Sequence, residues 1–156
     1  GLLFGGAIRN VGFIYDVPGT DASGNSVKMK YRNYNFALPV GLKVGNLSKI
    51  FLFGGYEIEF PFHYRERTFI NNVRQDNIIS TWFSQRTPAF YNSFFAGVQF
   101  PGGVNLKFKY YTSGFFNQDF TESNGTQPYM GFKANVWYFS LSFALFKNDR
   151  FYYKAD

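Results

Sequence analysis

The sequence predicts an all-β fold, an antiparallel up-and-down β-barrel with strands long enough to cross a membrane. Three observations support this prediction. Phe, Tyr and Trp make up 23% of the 156 residues, which is more than the core of a small soluble barrel can hold. Apolar and other residues alternate with period two over long segments. Short connections between these segments alternate with long polar ones.

The clearest alternation lies in the segment Ile50–Arg65. Its even positions are apolar or glycine, whereas its odd positions become polar at Glu57 and Glu59 and continue on the same face to His63 and Arg65. The segment is longer than an ordinary strand of about 5–6 residues. It also exceeds the roughly 9–11 residues that a tilted strand needs to cross a bilayer.

The same pattern predicts six strands, at about residues 3–16, 29–45, 49–66, 90–100, 104–115 and 128–146. In the last of these the apolar set changes phase near Trp137, which predicts a β-bulge there. The long connection Glu66–Phe90 contains a weakly strand-like segment, Ile78–Phe83. The chain is therefore expected to form one β-barrel domain over residues 1–156.

The composition narrows the function classes. The chain has no Cys, which excludes disulfide scaffolds, thiolate metal sites and Cys nucleophiles. Its one histidine, His63, and its scattered Asp residues match no metal-ligand spacing. We therefore expect no metal, no cofactor and no enzymatic activity. A Ser-His-acid lipase that uses His63 with Ser80 or Ser84 stays open as an alternative.

Long strands with one apolar face, aromatic residues near strand ends and alternating connections resemble bacterial outer-membrane β-barrels. The resemblance spans the whole chain and is architectural. The Phe- and Tyr-rich strands and the segment Ser140–Phe146 are similar to small barrels of Bacteroidota. The resemblance implies a porin-like fold in the outer membrane of a Gram-negative bacterium and eight strands in the complete protein. The missing hairpin is expected either within Glu66–Phe90 or upstream of Gly1.

Several charged residues fall on the polar faces of the predicted strands. The interior of an eight-stranded barrel is just wide enough to be filled by side chains, so opposite charges there are expected to pair and plug it. A path for an ion or substrate is the alternative. Arg9 shares the phase of the network, whose predicted members are Lys43, Glu57, Glu59, Lys107, Lys109 and Lys133.

Basic residues cluster where the predicted strands meet the long loops. The resemblance implies that they contact the anionic sugar-phosphate of lipopolysaccharide, since Lys and Arg pair with phosphate. On a soluble protein the same residues form a solvated face or a nucleic-acid patch. The barrel prediction favours membrane lipid and lipopolysaccharide as partners and no nucleic acid, with contacts at Lys30, Arg32, Arg65 and Arg67.

The long connection Glu66–Phe90 is too apolar for a solvated, disordered loop. We expect Trp82 and Phe83 to contact another outer-membrane protein. The predicted function is a non-enzymatic outer-membrane barrel with a plugged lumen, as a structural protein or an accessory subunit of a complex. A lipid-modifying barrel enzyme and a soluble β-barrel that binds an apolar ligand remain the alternatives.

Overall fold

The computed structural model describes residues 1–143, and it confirms the all-β class. Eight antiparallel strands form one sheet. Within the described range no helix has the length and hydropathy of a membrane span. The strands are β1 (Leu2–Phe4), β2 (Ala7–Thr20), β3 (Ser26–Gly45), β4 (Phe51–Ile70), β5 (Val73–Trp82), β6 (Tyr91–Gln99), β7 (Val104–Tyr111) and β8 (Trp137–Phe143).

The eight strands occupy six positions across the sheet, because two positions are each filled by two strands end to end. Strands β1 and β2 pair with successive parts of β3, and β5 and β6 pair with successive parts of β4. The six predicted strands correspond to these six positions. A further hairpin is formed within Glu66–Phe90, one of the two locations predicted for it. Its second strand, β5, pairs with β4 beside β6 and therefore adds no new strand position to the sheet.

The hairpin between β4 and β5 turns on two residues, Asn71 and Asn72. Their φ values are +49° and +64°. Two left-handed residues in succession are typical of the tight turns whose twist matches antiparallel strands, and asparagine tolerates this conformation better than most residues. The turn therefore allows β4 to run four residues beyond its predicted end at residue 66, to Ile70.

A β-bulge in β4 changes which side chains face the core. Asn35 of β3 pairs with Pro61, whereas the preceding Tyr34 pairs with His63, so Phe62 is an extra residue in β4. Beyond it the two faces of β4 exchange. The sequence pattern places His63 and Arg65 on the face of Glu57, and this prediction is wrong because the bulge moves both to the opposite, outer face.

The last strand starts later than predicted. Strand β8 begins at Trp137, and residues 128–136 form an irregular segment instead of strand. The phase change near Trp137 therefore marks the start of β8 and not a bulge. Tyr129 and Phe132 leave the strand pattern because they pack into an aromatic cluster over the core, where their rings stack on Phe116. The predicted continuation from 144 to 146 lies outside the described residues.

The sheet is strongly curved. Four strand spacings separate β2 from β7, which is about 19 Å in a flat sheet. Yet the ring of Phe13 on β2 lies 5.1 Å from that of Phe115, four residues beyond the end of β7. Tyr15 likewise lies 4.9 Å from Phe132, in the segment before β8. The edges thus approach each other, although within residues 1–143 β8 is hydrogen-bonded to β7 alone and the ring of strands is not closed.

Polar and apolar residues are distributed opposite to the usual pattern of soluble proteins. Among the described residues, 28 large hydrophobic side chains are exposed and 11 hydrophobic residues are buried. The buried set also contains seven polar or charged residues, namely Asn33, Asn35, Glu57, Glu59, Thr87, Ser93 and Lys109. The inner face of the curved sheet is therefore partly ionic, and the outer face is largely apolar.

Candidate functional site

A network of charged residues lies at the centre of the inner face. Glu57 and Glu59 alternate with outward residues on β4, so both point inward, and their side chains are 1% and 0% exposed. Lys109 of β7 forms an ion pair with each carboxylate. Arg9 of β2 binds Glu57 through two hydrogen bonds of 3.1 and 3.0 Å. Two cations thus balance two carboxylates.

Neutral donors complete the network around Glu59. The amide of Asn35 donates to one carboxylate oxygen at 2.6 Å, and the Tyr111 hydroxyl donates to the other at 2.6 Å. Buried ion pairs are tolerated when further hydrogen bonds satisfy the remaining lone pairs, and this condition holds here. Sequence reasoning missed Asn35 and Tyr111. In the sequence, both residues occupy the polar, inward-facing positions of their strands, Asn35 on β3 and Tyr111 two residues after Lys109 on β7.

The structure joins three of the six predicted network residues, Glu57, Glu59 and Lys109, and adds Arg9. The other three lysines form no ion pair within residues 1–143. Lys107 is half-buried, with its ammonium 5.7 Å from the ring centre of Phe95. Lys43 lies 5.6 Å from the ring centre of Phe51, and Lys133 is exposed in the segment before β8.

On the outer face, the four residues predicted to contact lipopolysaccharide form a two-by-two array across β3 and β4. We call this array the basic ladder. Arg32 is directly opposite Arg65, and Lys30 is directly opposite Arg67. No carboxylate in the described part of the chain forms an ion pair with any of the four.

Two of the guanidinium groups in the ladder lack hydrogen-bond partners for one of their donors. The Nε atoms of Arg65 and Arg67 are buried without a hydrogen-bond partner. Partial burial, followed by the neighbouring positive charges of Arg65, Arg74 and Arg32, lowers the pKa of Arg67 from its ordinary value. The four positive charges of the ladder have no carboxylate partner, and like charges directly opposite one another destabilise a sheet.

His63 makes a contact on the outer face that resembles a catalytic pair. Its Nε2 lies 3.0 Å from the Oγ of Ser80 on β5, and its ring lies 4.7 Å from that of Trp82. No carboxylate among residues 1–143 hydrogen-bonds to His63 to orient the imidazole. Ser84 lies elsewhere, where its hydroxyl accepts a hydrogen bond from the backbone N–H of Arg86.

Residues 83–90 leave the sheet between β5 and β6 and fold over the mouth of the inner face. Arg86 donates hydrogen bonds to the Tyr129 hydroxyl at 3.0 Å and to Glu122 at 2.7 Å. Burial lowers the pKa of Arg86, but these two hydrogen bonds and the electrostatic attraction to the same two groups together raise it above its ordinary value. Tyr129 in turn stacks on Phe116, with ring centres 4.3 Å apart. The long loops therefore form a packed cover.

Trp82 and Phe83, the predicted partner contacts, lie where β5 ends and the loop cover begins. Their side chains are 65% and 77% exposed. The Trp82 ring stacks on Phe62 at 5.9 Å, and Phe83 has a left-handed backbone with φ of +49°. The structure thus exposes two neighbouring aromatic side chains at the end of β5.

Comparisons of the chain with models of known protein families, with curated proteins and with solved structures found no match. Within residues 1–143, no group of three or more His, Cys, Asp or Glu residues could hold a metal ion.

Proposed function

We propose that this chain is a non-enzymatic bacterial outer-membrane β-barrel with a plugged lumen, which serves as a structural protein or as an accessory subunit of an outer-membrane complex. The observation that carries the proposal is the inverted distribution of side chains. The curved sheet presents an apolar outer face and buries two carboxylates and a lysine on its inner face. A bilayer favours this arrangement, whereas water favours its reverse.

The outer apolar band has the height that an outer membrane requires. On β3 the outward residues are apolar from Tyr34 to Val44, ten residues along the strand. This is about 34 Å along the strand and about 26 Å along the membrane normal at a tilt of 40°. The apolar band of outer-membrane barrels is about 25 Å tall. The basic ladder begins where this band ends, at Arg32.

The plugged lumen follows from the charge network. Arg9 and Lys109 neutralise Glu57 and Glu59, so no net charge is left in the network to attract an ion. The accessory role rests on Trp82 and Phe83, two neighbouring exposed aromatic residues at the edge of the apolar band, where Trp82 is in register through His63 with Tyr34.

A charge placed in the apolar band tests the membrane location. Val40 is 62% exposed on β3, and replacing so exposed a residue in a soluble protein changes stability by less than about 0.5 kcal/mol. In a bilayer, Val40→Arg is expected to destabilise the folded protein by about 2–4 kcal/mol. The matched control is Met130→Arg in the loop cover, where the side chain is 71% exposed and the change should be neutral.

The measurement is urea unfolding of protein refolded into lipid vesicles, with the heat-dependent gel mobility of folded barrels as a second readout. If Val40→Arg and Met130→Arg are equally tolerated, the membrane location is wrong and the soluble apolar-ligand alternative takes its place. If the protein is folded and monomeric in buffer without detergent, the same conclusion follows.

The hydrogen bond between His63 and Ser80 favours a second candidate function, a lipid-modifying barrel enzyme. In that case the Ser80 hydroxyl would attack the carbonyl carbon of an acyl ester while His63 accepts its proton and passes it to the departing alcohol, and water would then hydrolyse the acyl-serine to release the fatty acid. The test is acyl release from phospholipid in mixed micelles. Release that is lost in Ser80→Ala and kept in the control Ser84→Ala would establish this alternative, and the absence of release from the folded wild type would eliminate it.

A further inference from the structure

The loop cover contains an open groove that is separate from both the charge network and the basic ladder. Its volume is about 630 Å³, which lies within the roughly 300–1,000 Å³ of typical ligand pockets. One wall is formed by residues 83–89, between β5 and β6, and the other by residues 117–121, beyond the end of β7. Pro61 of β4 also lines it. We call it the cover groove.

Asn117 joins the two walls of the cover groove. Its backbone N–H donates to the carbonyl of Arg86 at 2.9 Å, and its side-chain amide donates to the carbonyl of Gln85 at 3.0 Å. Arg86 in turn lies 4.7 Å from the ring centre of Phe120 and donates to Glu122. Contacts within the protein therefore fix the shape of the groove, so a ligand does not have to order the walls when it binds.

Polar side chains on both walls are free to bind a ligand. Six of the eleven residues that line the groove are polar. Gln85 on one wall and Asp119 on the other are exposed, and neither side chain has a hydrogen-bond or ionic partner within residues 1–143. The Ser84 hydroxyl accepts a hydrogen bond from the N–H of Arg86 and keeps its own proton to donate. The groove thus offers donors and acceptors on both sides.

Aromatic rings supply much of the apolar lining. Phe83 and Phe120 both line the groove, one on each wall. The left-handed backbone of Phe83 is rare for a bulky residue and strained. Its N–H is held by the carbonyl of Phe62 at 2.9 Å. This strain keeps a large apolar ring exposed at the groove, which water disfavours and a ligand with an apolar surface favours.

The mixed lining identifies the class of ligand. Asp119 is the one charged residue that lines the groove in the described part of the chain, so no cation is present to bind a phosphate, sulfate or carboxylate. An apolar ligand would bury the polar side chains without partners. An extended peptide is recognised through main-chain hydrogen bonds, and here the carbonyls of Gln85 and Arg86 are already bonded to Asn117.

A neutral saccharide matches both parts of the lining. Its adjacent hydroxyl groups donate and accept hydrogen bonds, as the Gln85 amide and the Asp119 carboxylate require. The C–H face of a sugar ring is apolar and flat, which suits packing on an aromatic ring. The groove therefore offers a surface for each side of a sugar ring.

We propose that the cover groove binds a neutral oligosaccharide. Gln85 and Asp119 bind sugar hydroxyls from the two walls, and Phe83 and Phe120 pack on the sugar rings. This inference goes beyond the proposed function, because it assigns a ligand site to the loop cover that does not depend on the apolar band. Trp82 does not line the groove, so it stays available for a protein contact.

The experiment measures binding to the full chain in a zwitterionic detergent, because a detergent with a sugar head group would compete. The probes are neutral trisaccharides of glucose, mannose and galactose, their sulfated forms, and a mixture of uncharged hexapeptides. Saturation-transfer NMR identifies each bound probe by its own resonances. The test variant is Gln85→Ala/Asp119→Ala. The matched control, Gln75→Ala/Asp76→Ala, replaces the same two residue types on β5, at the far end of that strand from the groove.

The wild type and the control should bind at least one neutral trisaccharide with equal affinity. The test variant should bind it about tenfold more weakly, because it loses hydrogen bonds from both walls. Phe83→Leu removes the flat ring but keeps an apolar side chain, and it should also weaken binding, whereas Trp82→Leu should not. Equal binding by the test and control variants would overturn the site. Binding of no neutral trisaccharide, or tighter binding of the sulfated sugars or the peptides, would overturn the ligand class.

Folding is measured in parallel by the heat-dependent gel mobility, so that the two proposals fail separately. The test variant should fold like the wild type, since both replaced side chains are exposed and have no partner in the described residues. A folded wild type that binds no saccharide refutes this inference and leaves the proposed function intact. A wild type that binds saccharide and is folded in buffer without detergent refutes the proposed function and leaves this inference intact.

Discussion

Replacement of Lys109 by methionine tests the charge network most directly. Lys109 is fully buried and forms an ion pair with both Glu57 and Glu59. Methionine keeps most of the side-chain volume and removes the charge. After the change Glu57 still has Arg9, at 3.0 Å, whereas Glu59 keeps only the neutral donors Asn35 and Tyr111.

The destabilisation should therefore come mainly from Glu59, which is left as a buried carboxylate without a cation. Removing one partner of a buried ion pair destabilises a protein by about 3–5 kcal/mol. The double variant Lys109→Met/Glu59→Gln removes one charge of each sign and leaves the Arg9–Glu57 pair intact. It should be more stable than Lys109→Met alone, with a coupling energy of about 2–3 kcal/mol.

The assay is urea unfolding in lipid vesicles for the wild type, both single variants and the double variant. Lys107→Met is the matched control, because Lys107 lies two residues away on the same face of β7 and has no ion pair within the described residues. It should change stability by less than about 1 kcal/mol. If Lys109→Met matches Lys107→Met, or if Glu59→Gln fails to rescue it, the carboxylates are not held by Lys109 and these ion pairs do not plug the lumen.

Three further predictions follow from the loops and the lumen. The intact monomer should show no sustained single-channel conductance in planar bilayers, and stable ohmic steps would show that the ion pairs leave an open path. The variant Trp82→Ser/Phe83→Ser should fold like the wild type and lose a protein that copurifies from native membranes, whereas an unchanged set of copurifying proteins would remove the accessory role. Hydrogen bonds from Asn25, and then from Ser23, lower the pKa of Asp21 from its ordinary value of 3.8. The Asp21 carboxylate should therefore stabilise the β2–β3 turn above that value, and this stabilisation should be lost as the pH falls through the lowered pKa. A titration of the Asp21 carboxyl by NMR with its midpoint at or above 3.8 would contradict this.

The strand content and the two faces of the sheet could be predicted from the sequence, because alternation is a local property. Side chains two residues apart point the same way in any strand, so Glu57 and Glu59 had to share one face and Ile58 had to take the other. The apolar outer face of β3 followed from the same rule. Even the hairpin within Glu66–Phe90 had a local signal, in the strand-like segment Ile78–Phe83.

The exchange of faces in β4 was decided by the tertiary structure. A single extra residue, Phe62, moves His63 and Arg65 to the outer face, and the sequence pattern alone does not reveal it because His63 and Arg65 are plausible on either face. The basic ladder exists only because of this shift. Without it, Arg65 would point inward and could not lie opposite Arg32 on the outer surface.

The pairing of charges also required the fold. The sequence placed Lys43, Lys107, Lys109 and Lys133 on the inner face with equal support, and only Lys109 reaches the carboxylates. Lys109 lies 52 residues from Glu57 in the chain, and Arg9 lies 48 residues away on the other side. The curvature of the sheet, the register of β4 against β6 and that of β6 against β7 bring these distant residues together. Alternation determines which face a side chain occupies, but only long-range packing determines which charge it meets there.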